Sequence, residues 1–184
     1  IKKNSCTFVF IRITLFNMDI QYLGEHLAYG YGGRFALFMA FFAALFAIFA
    51  YIMGSNEDRI DKRQWRNWGR RAFRVHTVFV LLASLLFFWI LLNRFYEYRY
   101  VWIHVENDLS LGYRIAAFWA GQEGSLLFWI LCQAVFGMVL IRFARDWEAS
   151  VMTFMALGQV FLLSMVLGLR FGDLSIGMNP FLLL

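Results

Sequence analysis

Apolar positions fall into four long runs, at residues 35–54, 75–93, 126–141 (extended by its flanks) and 151–169, separated by more polar stretches. About 20 mostly apolar residues are needed to cross a bilayer, so each run is a candidate span. The first, FALFMAFFAALFAIFAYIMG, carries no charge, and the second contains only His76, near its beginning. In hydrocarbon a spanning segment must bond its own amides, which makes these runs helices. A membrane β-barrel would show polar and apolar residues alternating in segments of about ten, and no such pattern is present. The expected fold is an all-α integral membrane bundle of about four transmembrane helices.

Composition supports this class. Hydrophobic residues make up 61% of the chain and charged residues 16%, against roughly 25% charged in soluble domains. Pro occurs once, so long helices are interrupted almost nowhere. Cys6 and Cys132 have no metal-ligand spacing, and Cys132 reads as a small hydrophobe inside the third run.

Charge sets the expected orientation. The loop SNEDRIDKRQWRNWGRRAFR carries Arg59, Lys62, Arg63, Arg66, Arg70, Arg71 and Arg74 against Glu57, Asp58 and Asp61. Beside membrane spans such a basic loop marks the cytoplasmic side rather than a nucleic-acid partner. Trp65 and Trp68 suit an amphipathic segment in the headgroup layer. Both termini and the long connection from Arg94 to Glu123 are then outside, while the RFARDWEAS loop with Arg142 and Arg145 is inside.

The ends carry their own expectations. Residues 1–17 differ in character from the rest of the chain, so Met18 is taken as the native start, preceded by upstream-translated sequence. A leader segment is the rival, although no A-x-A-like cleavage site precedes Met18. The chain stops as an apolar run restarts after Pro180, so residues 18–184 are expected to be the front of a longer protein.

The long connection holds the polar candidates. Tyr96, Tyr98, Tyr100 and Trp102 recur at every second position, the period of an extended strand with one aromatic face; an interfacial aromatic belt would use the same residues. In LGYRIAAFWAGQEGSLLFWIL, Tyr113, Arg114, Trp119, Glu123 and Ser125 lie at the outer mouth of the third helix. Gly121 and Gly124 permit close backbone approach. Glu123 lies near the helix start, where the dipole favours a carboxylate and its side chain can satisfy a free amide. The polar run is thus a helix entrance at the membrane surface. His26 precedes the first helix, His76 is read as beginning the second at the inner surface, and His104 lies outside, so no two are placed to share an iron atom. Cys-x-x-Cys-His, Walker and Ser-His-Asp signatures are absent from the sequence. No catalytic or metal residue is assigned.

The segment YVWIHVENDLSLGYRIAAFWAGQEGSLLFWIL resembles the N-terminal region of the CcmF/NrfE family of cytochrome c biogenesis proteins. The matching residues are Tyr100, Val101, Tyr113, Arg114, Ala116, Ala117, Trp119, Gly121, Glu123, Gly124, Ser125, Leu126, Leu127 and Trp129. Asn179, Pro180 and Phe181 resemble the family's N-P-F, and the likeness runs from about Tyr22 to Leu184. Gln122 departs from members that carry His there, which makes it a hydrogen-bonding residue rather than a proton or haem site. The resemblance implies a multi-pass inner-membrane haem lyase component with its functional loop on the periplasmic side. It implies haem delivery from a haem chaperone to apocytochrome c, with further maturation subunits as partners and haem ligands beyond residue 184. This part alone would not be catalytic. Tyr100, Trp102, Arg114, Trp119 and Glu123 are the candidates for a haem or partner surface, with Arg99 or Arg114 available to a haem propionate. The alternatives are another membrane haem-handling protein, in which a Trp-rich stretch would come next, and a non-catalytic assembly subunit of a respiratory complex.

Overall fold

A computed structural model of the chain describes residues 26–56, 60–168, 170–171, 174–175 and 177–184. Cys6, Met18, Tyr22, Glu57, Asp58 and Arg59, with the reading of residues 1–17, lie outside the described residues.

Four helices are long and apolar enough to cross a membrane: α1 (Leu27–Ser55), α2 (Lys62–Leu92), and, after the short helices α3 (Arg99–His104) and α4 (Leu111–Ala116), α5 (Gln122–Phe143) and α6 (Glu148–Leu167). The expected fold class is thereby met. Helix α1 packs on α2 and α6, and α5 closes the ring by packing on α6 and α2, each neighbour antiparallel. The N-terminus of α1, the connection 93–121 and residues 177–184 gather at one end, here the connection end. Arg99 N–H donates to Leu182 O at 3.0 Å and Leu184 N–H to Glu97 O at 3.0 Å. The opposite end, between α1 and α2 and between α5 and α6, is the basic end.

Helix α1 shows why the bundle closes. Gly30, Gly33, Ala36, Ala40, Ala44, Ala47, Ala50 and Gly54 are buried along one stripe, while Phe35, Phe42, Phe46 and Phe49 are exposed on the other faces. Hydrocarbon solvates phenylalanine as well as a protein core does. Association therefore rests on close backbone packing through small residues. Exposed Phe136, Phe154 and Phe161 repeat this arrangement on α5 and α6.

Two sequence expectations are corrected. Helix α2 begins at Lys62 rather than near Val75, so His76 lies within it, fully buried, and not at a helix start on the surface. The polar first turns of a helix carry no hydropathy signal, which is why the apolar run alone misplaced them. His76 Nδ1 lies 2.9 Å from Ala40 O, so this nitrogen donates and ties α2 to α1. Residues 96–102 do not form a strand. Tyr98 makes only an isolated bridge to Leu183, and α3 begins at the next residue. Tyr98 and Tyr100 are buried and Trp102 is exposed, so the alternation does not define one face. With no long partner strand at the bundle end among the described residues, local helical bonds satisfy this backbone. The described strands are a short antiparallel pair, β1 (Arg170–Phe171) and β2 (Leu174–Ser175), which comes after Gly168, left-handed at φ 66° where α6 stops.

Charged groups fasten the basic end. Arg70 of α2 meets Glu148 of α6 through both forks, Nε to Oε1 at 2.7 Å and Nη2 to Oε2 at 2.5 Å. Arg66 Nε donates to Gly54 O at 2.9 Å, supplying a partner to a carbonyl in the last turn of α1.

Candidate functional site

The connection end is built around one phenol. Tyr100, on α3, is buried, and its ring packs edge-on to Phe87 of α2 with centroids 4.9 Å apart. Its hydroxyl accepts the Gly121 N–H at 2.8 Å and donates to Ala117 O at 3.0 Å. One side chain thus holds both ends of the turn that leads into α5. Burial and the negative charge of Glu123 push the Tyr100 hydroxyl up to about 12, while the Gly121 amide opposes them.

The glycines of GQEGS are required by this joint. A Cβ on Gly121 would lie 2.7 Å from His104 Nε2 and 2.8 Å from the Tyr100 ring. One on Gly124 would lie 2.0 Å from Phe118 O. Ser125 Oγ lies 2.7 Å from Gly121 O and 2.9 Å from Trp119 O, closing the same turn. Helix α5 starts at Gln122 with Gly121 as its cap, and Glu123 lies in the first turn. The dipole position expected for Glu123 is therefore occupied, but no side chain caps α5 at Gly121.

The structure brings some candidates together and separates others. Tyr100, Glu123 and Trp119 surround the joint; Trp119 is half exposed and tilted against Phe128. Trp102 stands apart, 64% exposed and edge-on to Tyr96. Arg114 Nη1 donates to Leu92 O at 3.1 Å, which satisfies a carbonyl at the end of α2 and places a cation at its negative pole. Arg99 lies 3.3 Å from Met178 Sδ and is exposed. Sequence reasoning named Tyr98 only in the aromatic alternation and missed its role: its hydroxyl accepts the Gly30 N–H at 2.9 Å and donates to His26 O at 2.9 Å. It also missed Arg34, hidden as the flank of an apolar run.

The histidines do not form an iron site. His26 stacks on Phe95 and faces Glu97, His76 is inside the bundle, and His104 stacks on Tyr100 with Nδ1 2.9 Å from Tyr100 O. Among the described residues no cluster of three or more His, Cys, Asp or Glu could hold a metal ion.

The arrangement of these helices has a counterpart among solved structures. A chain titled "Cytochrome c Heme Lyase CcmF" superposes with a TM-score of 0.69 over 82% of this chain, at 20% identity. This chain has the fold of part of CcmF. The match covers 25% of the CcmF chain, so the present sequence spans about a quarter of that protein's length. No protein-family model and no curated protein matches the chain. The CcmF likeness agrees with the resemblance read from the G-x-E-G-S-L-L-x-W segment, which forms the joint between α3 and α5.

The joint makes a pH prediction. An unfolded tyrosine titrates near 10, and in the fold Tyr100 holds its proton up to about 12. The raised value means its stabilising contribution is fully present below about pH 10 and is lost as pH rises towards 12. Alkaline melts of the detergent-solubilised chain should show this loss, and Tyr100→Phe should lower stability at pH 8 by about 1–3 kcal/mol while flattening the alkaline slope.

Proposed function

We propose that this chain is part of a membrane haem lyase in cytochrome c maturation, which passes haem to apocytochrome c outside the cytoplasmic membrane. The single observation that carries this reading is the CcmF fold. The G-x-E-G-S joint supports it, because the residues that carry the sequence resemblance are also those that the packing constrains.

In this reading the connection end faces the periplasm of an inner-membrane protein, as the arginines at the basic end favour. Haem is the cargo, received from a haem chaperone and handed to the Cys-x-x-Cys-His segment of an apocytochrome. Trp119 and Trp102 offer exposed aromatic faces to haem or partner. Glu123 offers a half-buried carboxylate in the first turn of α5, and Arg99 offers an exposed guanidinium suited to a propionate. Tyr100 and Arg114 are positioning residues, since their polar atoms are engaged with backbone.

Trp119→Ala and Glu123→Gln, made separately in the full-length protein, should each lower haem-stained cytochrome c severalfold while leaving the membrane level of the protein unchanged. Full cytochrome yield from both variants would remove this surface from the mechanism.

A further inference from the structure

Arg34 has no role in the reading above, and Arg99, offered there to a propionate, shares its position at the connection end. Arg34 immediately precedes the charge-free run at residues 35–54. About 20 residues at 1.5 Å each match the roughly 30 Å hydrocarbon core, so Arg34 marks the plane where acyl chains give way to headgroups. Arg99 comes to the same place from the start of α3. Together with Phe38, Leu167, Asn179 and Leu182 they line a cavity of about 420 Å³.

Neither guanidinium has a carboxylate partner among the described residues. Arg34 Nη2 donates to Phe181 O at 3.0 Å, and Arg99 Nη1 meets the thioether of Met178, a weak acceptor. Asn179 Oδ1 accepts the Phe181 N–H at 2.9 Å, and its NH2 group is a donor beside the two guanidinium groups. The cavity therefore presents two cations and an amide, with no carboxylate facing them among the described residues. Phe38, Leu167 and Leu182 add an apolar lining, and Phe38 is exposed.

We infer that this cavity binds an anionic phospholipid, its phosphate held by Arg34 and Arg99 and an acyl chain lying along Phe38 and Leu167. Arginine forks match phosphate oxygens two at a time. A lipid also brings the apolar body that the apolar lining calls for, which inorganic phosphate lacks. The bound headgroup would tie α1, the start of α3 and residues 178–182 together at the membrane surface.

The test places the full chain in phosphatidylcholine nanodiscs containing a trace of photoreactive probe, either phosphatidylglycerol or phosphatidylcholine, with adducts mapped by peptide mass spectrometry. Two interfacial arginines should favour the anionic probe at Leu167 and Leu182 by about 30-fold. Arg34→Gln with Arg99→Gln should bring the two probes to parity, and Arg34→Lys with Arg99→Lys should keep most of the preference, separating charge from any effect on folding. Arg63→Gln, at the basic end, should leave the ratio unchanged. Equal labelling by both probes in the unmodified chain, or an unchanged ratio in the double Gln variant, would overturn the site. Abolition of labelling by millimolar inorganic phosphate would overturn its assignment to lipid.

Discussion

Gly124→Ala is expected to destabilise the bundle by about 3 kcal/mol, the upper part of the range for overpacking. The added methyl would lie 2.0 Å from Phe118 O and 2.6 Å from the Tyr100 hydroxyl. The first neighbour is backbone, so it cannot swing aside as the end of a side chain would. Relief must come from moving the turn at residues 117–121, which breaks the bond from Gly121 N–H to Tyr100. Gly112→Ala is the matched control, because a Cβ there meets nothing within 4 Å. Alanine in that short helix should be neutral or stabilising by up to about 1 kcal/mol. Thermal melts of the two variants in one detergent make the comparison. Equal stability would show that the joint is not close-packed.

The second large effect is an asymmetry at the basic end. Arg70→Ala should cost about 3 kcal/mol, since it removes the counter-charge and both of its bonds from the buried carboxylate of Glu148. Glu148 is 2% exposed and Arg70 39% exposed. The reverse change, Glu148→Gln, leaves a cation that can turn to water, and should cost about 1 kcal/mol or less. The double variant should resemble Glu148→Gln, because the buried charge is gone. Denaturant unfolding of the three variants tests the order, and equal losses for both single variants would contradict it.

The spans were legible in the sequence because hydrophobic run length is set by bilayer thickness, and four helices are found where four runs were read. Their ends were not. Polar first turns such as Lys62–Arg74 are helical without being apolar, and this error placed His76 at a surface it does not occupy. The alternation of Tyr96, Tyr98, Tyr100 and Trp102 misled for a different reason. Tyr98 and Tyr100 are fixed by separate tertiary contacts, at Gly30 and at Gly121, and periodicity has no knowledge of such partners.

GQEGS was read correctly as a helix entrance with close backbone approach. That the approaching group is Tyr100 could not be read, because a glycine states that something is near without naming it. Arg70 was read only as a topology signal and Glu148 not at all, their pairing across α2 and α6 being a product of the ring order. Of the candidate surface, Trp102, Trp119 and Glu123 stand where a partner can reach them, whereas Tyr100 and Arg114 are engaged with the backbone of the connection end.

The most direct test of the central claim is haem staining of membrane and periplasmic proteins from native cells in which the reading frame encoding this chain has been deleted. Loss of covalently haem-bound cytochrome c, with apocytochrome still synthesised and holocytochrome restored by the intact gene, is the predicted result. Undiminished holocytochrome c in the deletion strain would contradict a role in cytochrome c maturation.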